Sequence, residues 1–209
     1  AGINHWTGAG YTPVLSIFKR NDNNNNYDLN KTILYGDYAT EKYTHVQIRK
    51  SNNGNILIFH LERSSGKVYC IKSTDNGVNW SASSSNGTDT NAVAATQTGT
   101  ITSQGYWWGK ILQVDSRATR LITADEANTA TKIYDIASDG ICTINKTITH
   151  NVHKVAINAE GNTICIGDSE NTNDNGRIIV YKYSNNDWST LGSNLDGHTD
   201  YEYGYCMAI

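Results

Sequence analysis

Short apolar runs recur along this chain, and they are separated by polar turn residues. Three such runs cover residues 67–72, 132–136 and 179–183, and each is rich in β-branched or aromatic side chains. Short runs of this composition, bounded by turn residues, are typical of β-strands. No stretch keeps the spacing of three and four residues that marks an amphipathic helix. The pattern therefore predicts an all-β protein.

The strand pattern repeats within the chain. Residues 113–122 align with residues 156–165 at an offset of 43, and each copy has an apolar strand, a polar turn and a second strand. Both second strands end in a small residue and an acid, Ala124-Asp125 and Gly167-Asp168. A period of about 40–50 residues built from short strands is typical of β-propeller blades. We therefore predict β-propeller blades of four antiparallel strands, three complete and one partial.

The repeat divides the chain into six segments. They are N-terminal strands that could supply a closing blade (1–43), a first blade (44–82), a Ser/Thr/Asn-rich insertion predicted to be an exposed loop (83–107), two further blades (108–152 and 153–200) and the first strand of another blade (201–209). Two arrangements stay open. The strands at the two ends close a four-bladed ring, or the chain is a segment of a larger propeller.

One turn in the first blade has a specific pattern, S-x-D-x-G-x-x-W, formed by Ser73, Asp75, Gly77 and Trp80. The Asp75 carboxylate can accept hydrogen bonds from backbone N–H groups of a tight turn, and Gly77 can adopt positive φ. Trp80 can then pack as an apolar plug. The pattern resembles the Asp-box, a structural hairpin of sialidase-like β-propellers.

The last predicted blade carries a second resemblance. Residues 168–183 and 186–197 are similar to an FG-GAP-type repeat, found in extracellular, microbial-surface and viral propellers. That resemblance implies calcium in the loop after the second strand, and calcium prefers hard oxygen ligands such as those clustered here. Calcium is the one cofactor that the sequence suggests, with five candidate ligands: Asp168, Glu170, Asn171, Asn173 and Asp174.

Composition excludes several partners. The 209 residues carry a formal net charge of -3 and 18% charged residues, which does not favour a nucleic-acid surface. No apolar run approaches the roughly 20 residues of a membrane-spanning helix. Neither an initiator Met nor a signal-like apolar stretch opens the chain, so we expect a mature chain or a segment of a longer one.

Four cysteines are widely spaced along the chain, and none forms a C-x-x-C pair, which excludes a zinc ribbon. Each lies in an apolar run, where a buried free thiol is the common outcome. In an oxidising compartment three disulfide connectivities are open, and the sequence does not choose among them. The four are Cys70, Cys142, Cys165 and Cys206.

Catalytic patterns are weak. The sialidase resemblance implies an arginine triad and a Tyr–Glu nucleophile pair, but Tyr201-Glu202 would point to opposite faces of a strand. Arg117 and Arg120 lie at a turn and are expected to be solvated. The six histidines show no H-E-x-x-H spacing. The sequence therefore predicts no catalytic residues and no enzyme activity.

Aromatic residues suggest a binding function instead. Tyr106, Trp107 and Trp108 follow the insertion and could reach a rim loop, whereas Trp80 and Trp188 are expected in the core. The interpretation is a non-catalytic extracellular, cell-surface or virion-surface recognition module. Its expected partners are glycans or surface proteins, with self-association or further blades also open. The alternatives are a structural subunit of a virion or surface layer, and a sialidase-like glycoside hydrolase fragment.

Overall fold

The fold is described from a computed structural model covering residues 2–6, 11–21, 23, 26–34, 43–62, 67–80, 92–94, 96–102, 111–125, 130–168, 175–198 and 208–209. Within these ranges the regular structure is β-strand, as the short apolar runs predict. The strands are β1 Gly2–Trp6, β2 Tyr11–Asn21, β3 Asn26–Leu34, β4 Tyr43–Lys50, β5 Ile56–Glu62, β6 Lys67–Ser73, β7 Ala92–Ala94, β8 Thr96–Thr102, β9 Ile111–Val114, β10 Arg120–Asp125, β11 Ala130–Ile136, β12 Cys142–Thr149, β13 Lys154–Ile157, β14 Thr163–Asp168, β15 Arg177–Ser184, β16 Asp187–Thr190 and β17 Leu195–Asp196.

The strands form four sheets that follow one another along the chain, except that β7 of sheet 1 comes after β6 of sheet 2. Sheet 1 has the order β1-β2-β3-β7, and sheet 2 has the order β4-β5-β6-β8. Sheet 3 is β9 to β12 and sheet 4 is β13 to β16, with β17 pairing β15. Sheets 2, 3 and 4 are antiparallel throughout, and β7 is parallel to β3. The prediction of four-stranded antiparallel units is confirmed.

Sheet 3 is packed on both faces, so its strands carry apolar side chains at neighbouring positions. The first interface, between sheets 2 and 3, contains Leu57, Phe59, Val68, Cys70, Leu112, Val114, Leu121, Tyr134 and Cys142. The second interface, between sheets 3 and 4, contains Ile111, Ile122, Ile133, Ile148, Val155, Ile164, Ile166 and Trp188. The pleat sends Leu121 into the first interface and Ile122 into the second. The expectation that Trp188 lies in the core is confirmed, because it is 4% exposed.

The stretch predicted as an exposed loop, 83–107, contains two strands. Strand β8 pairs with β6 as the fourth strand of sheet 2, and β7 extends sheet 1. The loop prediction is therefore wrong for residues 92–94 and 96–102. Its basis was the polar composition, but threonine is β-branched and suits a strand, and a strand at the edge of a sheet needs little apolar surface.

Among the residues that the structure describes, no helix is long and apolar enough to cross a membrane. Strand β9 contacts both β4 and β13, so the first strands of sheets 2, 3 and 4 lie side by side. These three strands form the inner edge of the stacked sheets, and the turns that follow them lie at one end of that edge.

Candidate functional site between the inner strands

Two of the turns that follow the inner strands are built in the same way, one in sheet 3 and one in sheet 4. Asp115 Oδ1 accepts hydrogen bonds from the backbone N–H groups of Thr119 and Arg120, at 2.7 and 2.6 Å. Asn158 Oδ1 accepts the equivalent pair from Asn162 and Thr163, both at 3.0 Å. A side-chain oxygen in each turn therefore replaces missing backbone partners. The sequence repeat at 113–122 and 156–165 is the origin of this similarity.

The fourth residue of each turn has positive φ, which is 52° at Ala118 and 72° at Gly161. In sheet 2 the corresponding residue is Gly54, with φ of 86°. Gly161 also has no room for a side chain. A Cβ there would lie 2.9 Å from Thr119 Oγ1 and 3.2 Å from Asp115 Cγ. The turn of sheet 4 thus packs directly on that of sheet 3.

A cavity of about 440 Å³ opens between these turns and the ends of β4, β9 and β13. Its volume lies within the range typical of small-molecule sites, about 300–1,000 Å³. Ile209, near the end of the chain, also lines it. The polar part of the wall that concerns ligand binding consists of Arg49, Lys50, Gln113, Ser116 and Asn158.

Arg49 joins sheet 2 to sheet 3 at the wall of this cavity. Its Nε donates to the carbonyl oxygens of Val114 and Asp115, at 2.9 and 3.0 Å. Nη1 donates to the Ile48 carbonyl at 2.8 Å, and Nη2 donates to Gln47 Oε1 at 2.5 Å. Burial lowers the pKa of Arg49, and the Asp115 charge opposes that shift. The guanidinium is therefore fixed in place before any ligand arrives.

Asp115 has the only carboxylate side chain among the cavity-lining residues of the described chain, and it is 1% exposed. Its Oδ2 accepts from the Arg117 N–H at 3.1 Å and from Thr119 Oγ1 at 3.0 Å, while Oδ1 accepts the two bonds given above. Both oxygens are occupied, so Asp115 shapes the turn and does not serve as a free base. Arg49 and Lys50 leave the wall rich in hydrogen-bond donors and positive charge.

The predicted Asp-box residues form a separate turn at the end of β6. Ser73 Oγ accepts from the Gly77 N–H at 2.8 Å and donates to Asp75 Oδ1 at 2.8 Å. Asp75 also accepts from the backbone and side-chain N–H groups of Asn79, at 2.8 and 2.7 Å. These bonds, those from Asn79 first, lower the pKa of Asp75. A Cβ built on Gly77 would lie 3.7 Å from the Trp80 ring.

Two other predicted sites fall largely outside the described residues. Tyr106, Trp107 and Trp108 lie outside them, as do four of the candidate calcium ligands, Glu170, Asn171, Asn173 and Asp174. Asp168 is described, at the end of β14, where it is 8% exposed. In the part of the chain that the structure covers, no group of three or more His, Cys, Asp or Glu side chains could hold a metal ion.

The expectation of solvated arginines is right for Arg117, which is exposed, and wrong for Arg120. The Arg120 side chain is 13% exposed, and its Nη1 lies 3.0 Å from Asp135 Oδ1 in an ion pair that does not align as a hydrogen bond. Its guanidinium stacks 3.8 Å from the centroid of the Tyr183 ring. The sequence shows Arg120 beside a turn, but Tyr183 is contributed by the next sheet.

Sequence reasoning missed the cavity residues. Arg49, Lys50 and Gln113 match no catalytic pattern, and only their position at the ends of first strands could have drawn attention to them. The repeat locates those ends in sheets 3 and 4. It could therefore have suggested that residues around 113 and 157 meet.

The architecture defines the class of protein, which is a β-propeller. No protein-family model matches the chain, and no curated protein matches it. A solved structure from Bacteroides fragilis, provisionally described as a 6-phosphogluconolactonase, is 10% identical with a TM-score of 0.50, and the match covers 94% of this chain and 57% of that one. The β-propeller domain of Cps50 (Swd1) from Myceliophteria thermophila is 10% identical with a TM-score of 0.52, over 90% and 53%.

A third solved structure, the periplasmic gluconolactonase of Pseudomonas aeruginosa, is 10% identical with a TM-score of 0.49, over 79% of this chain and 45% of that one. This chain spans about half the length of these three solved structures. At such identities the likeness shows the fold, and the four sheets are β-propeller blades.

The comparison corrects the sequence-based function. The Bacteroides fragilis protein that shares this fold is provisionally described as a 6-phosphogluconolactonase, which contradicts both the non-catalytic recognition module and the prediction of no enzyme activity. The physical reason is that hairpin patterns and polar, aromatic-rich composition describe how blades are built. Catalytic and non-catalytic propellers share those features, so the pattern carries no information about chemistry.

Proposed function

We propose that this chain is part of a propeller hydrolase whose cavity binds a small, oxygen-rich anion, with a sugar-acid lactone as substrate class. The observation that carries the proposal is the fixed guanidinium of Arg49. Its hydrogen bonds to Val114, Asp115, Ile48 and Gln47 use three of its five N–H groups. The other two have no partner among the described residues, and Arg49 lines the cavity.

The charge of the wall supports an anionic ligand. Lys50 is exposed and adds a second positive charge beside Arg49. Asp115, the carboxylate of the wall, is shielded because four hydrogen-bond donors cover it. Gln113 contributes an amide that has no partner among the described residues. A carboxylate or phosphate on the ligand would therefore meet a donor-rich surface.

The proposed chemistry follows from a fixed cation. In lactone hydrolysis, water adds to the carbonyl carbon, negative charge develops on the carbonyl oxygen, and the ring C–O bond then breaks to give a hydroxy acid. Donors already oriented toward the place where that charge develops stabilise the transition state more than mobile donors do. Arg49 has this property because both blades hold it. The 6-phosphogluconolactonase description of the Bacteroides fragilis structure suggests the first substrates to test.

We further propose that residues 73–80 are an Asp-box turn. The hydrogen bonds of Ser73 and Asp75, with Gly77 at φ of 85°, support this assignment. The turn lies apart from the cavity-lining residues, so its proposed role is to close the end of its blade.

The test is hydrolysis of glucono-δ-lactone, with and without a 6-phosphate. Hydrolysis is measured as the rate of acid release above the spontaneous rate. We expect Arg49→Gln to lower kcat/KM by about 100-fold or more, as loss of an oxyanion donor does. Lys50→Ala should mainly raise KM for the phosphorylated substrate. Lys154→Ala, an exposed lysine outside the cavity, is the matched control and should leave both constants unchanged.

Arg49→Gln also removes a contact between blades, so its folding is checked by circular dichroism and thermal unfolding. Arg49→Lys keeps the charge but not the forked geometry, and we expect it to recover little activity. Folded wild-type protein that does not accelerate hydrolysis of either lactone would contradict the proposed function.

A further inference from the structure

Two thiols from neighbouring blades lie close to Gly140. Cys70 lies in β6 of sheet 2, and Cys142 is the first residue of β12 in sheet 3. Both belong to the first interface, where they are 7% and 5% exposed. A Cβ built on Gly140 would lie only 2.8 Å from Cys70 Sγ, and Cys142 Sγ lies 3.6 Å from the Gly140 carbonyl oxygen. The missing side chain of Gly140 thus leaves room for the Cys70 sulfur, and in the structure both cysteines are reduced thiols.

The surroundings of the pair disfavour a thiolate in the folded chain. Burial is the main cause that raises the pKa of Cys70, and the neighbouring Cys142 raises it further; Asp139 adds to this and Lys72 opposes it. The Cys70 thiol also donates to the Ile71 carbonyl at 3.5 Å. Because thiol–disulfide exchange proceeds through the thiolate, a bond here would exchange slowly after folding. The disulfide bond would therefore form while the chain folds, before the two thiols are buried.

The other cysteines do not share this position. Cys165 lies in β14 of sheet 4, between Ile164 and Ile166, whose side chains fill the second interface. The pleat directs Cys165 to the opposite face of that sheet, and it belongs to neither interface. Cys206 lies outside the described residues.

We propose that Cys70 and Cys142 form a disulfide bond between sheets 2 and 3 when the chain folds in an oxidising environment. The oxidant is a small-molecule disulfide such as oxidised glutathione. The thiolate of one cysteine attacks it, forms a mixed disulfide and releases one glutathione thiolate. The second cysteine then attacks the mixed disulfide, forms the bond between the two sheets and releases the other glutathione. The two protein thiols lose two electrons and two protons in total, and the glutathione disulfide gains the electrons.

The experiment refolds the reduced, denatured chain in a buffer of reduced and oxidised glutathione. Remaining thiols are alkylated in denaturant, and the protein is digested without reductant for mass spectrometry. We expect a linked pair of peptides that contain Cys70 and Cys142, about 2 Da lighter than the sum of the two reduced peptides because two hydrogens are lost. Refolding in excess reductant should yield four alkylated cysteines and no such pair.

Matched variants sharpen the result. Cys165→Ala should keep the linked pair, whereas Cys142→Ala should lose it and leave Cys70 alkylated. The wild-type peptide map needs no variant to fold, so the proposal is tested even if Cys142→Ala does not fold. Native circular dichroism together with four alkylated thiols in the oxidising buffer would overturn it, and so would a bond from Cys70 or Cys142 to Cys165 or Cys206.

Discussion

The two interfaces of sheet 3 are filled by similar apolar side chains, but their arginines have different surroundings. At the first interface Arg49 lies on the inner edge, where carbonyl oxygens of two blades hold it beside the cavity. At the second interface Arg120 is covered by the Tyr183 ring and paired with Asp135. Two N–H groups of Arg49 have no partner among the described residues, whereas Arg120 uses its charge to join blades. Under the proposed function, the same residue type therefore serves binding at one interface and packing at the other, according to what the next blade places over it.

The second interface also has a polar network near its outer strands. Trp188 Nε1 donates to Asn145 Oδ1 at 3.1 Å, and Asn145 Nδ2 donates to Asp135 Oδ2 at 2.8 Å. Asp135 thus accepts a hydrogen bond from Asn145 and forms an ion pair with Arg120. Lys146 adds an ion pair with Asp187 at 2.7 Å. These contacts connect β12 to β16 and fix the position of one blade against the other.

The largest expected effect comes from removing the centre of this network. Trp188→Ala deletes a buried indole, its packing on Tyr183 at 5.3 Å between ring centroids, and the hydrogen bond to Asn145. We expect a loss of about 3–5 kcal/mol in the free energy of unfolding, measured by urea denaturation. Leu191→Ala, at a side chain that is 55% exposed, is the control and should change it little. Equal losses in both variants would contradict the role assigned to Trp188.

A smaller effect separates turn conformation from blade packing. Gly161→Ala and Gly54→Ala both place a Cβ at positive φ, which costs about 1–2 kcal/mol. Gly54 has no heavy atom within 4 Å of that Cβ, whereas at Gly161 Thr119 Oγ1 lies 2.9 Å away. We therefore expect Gly161→Ala to lower the unfolding midpoint more than Gly54→Ala does. Similar shifts would show that the contact between the two turns relaxes without cost.

The smallest expected effect is pH-dependent and concerns His150 at the second interface. Its ring meets the Tyr181 ring edge-on, with centroids 6.2 Å apart, and its Nε2 is buried without a hydrogen-bond partner among the described residues. Burial is the main cause that lowers its pKa; Asp168 opposes the shift, and Arg177 contributes to it. The folded chain therefore binds this proton less readily than the unfolded chain, so stability falls as pH drops below about 6.5.

His150→Gln should flatten the dependence of the unfolding midpoint on pH between about 7 and 5, because the group that titrates there is removed. Asn151→Gln, at the exposed residue next to His150, changes no titratable group; it is the control and should keep the wild-type slope. A slope that is unchanged in His150→Gln would show that another group is responsible.

Much of the local structure could be predicted from neighbouring residues alone. In the Asp115 and Asn158 turns, the acceptor side chain lies four and five residues before the two N–H groups that donate to it. The short apolar runs 132–136 and 179–183 predicted strands, because β-branched and aromatic side chains suit a pleated sheet. Thr96–Thr102 was missed because a strand at a sheet edge lacks that apolar signal.

The cavity was beyond local reasoning. Arg49 donates hydrogen bonds to the Val114 and Asp115 carbonyls, which lie 65 and 66 residues away in the chain. No sequence pattern around position 49 indicates those partners. Arg120 was expected in solvent for the same reason, since the ring that covers it belongs to the following blade. A side chain's own sequence neighbours set its conformation but not what packs over it.

The sequence by itself determined the all-β class, the blade repeat and the construction of individual turns, because hydrogen bonding and side-chain alternation act over a few residues. The tertiary structure alone decided which end of the inner strands holds a cavity, which arginine has N–H groups without partners among the described residues, and which cysteines lie in the same interface. Those properties depend on contacts between blades, whose side chains lie forty or more residues apart in the chain and meet only when the sheets stack.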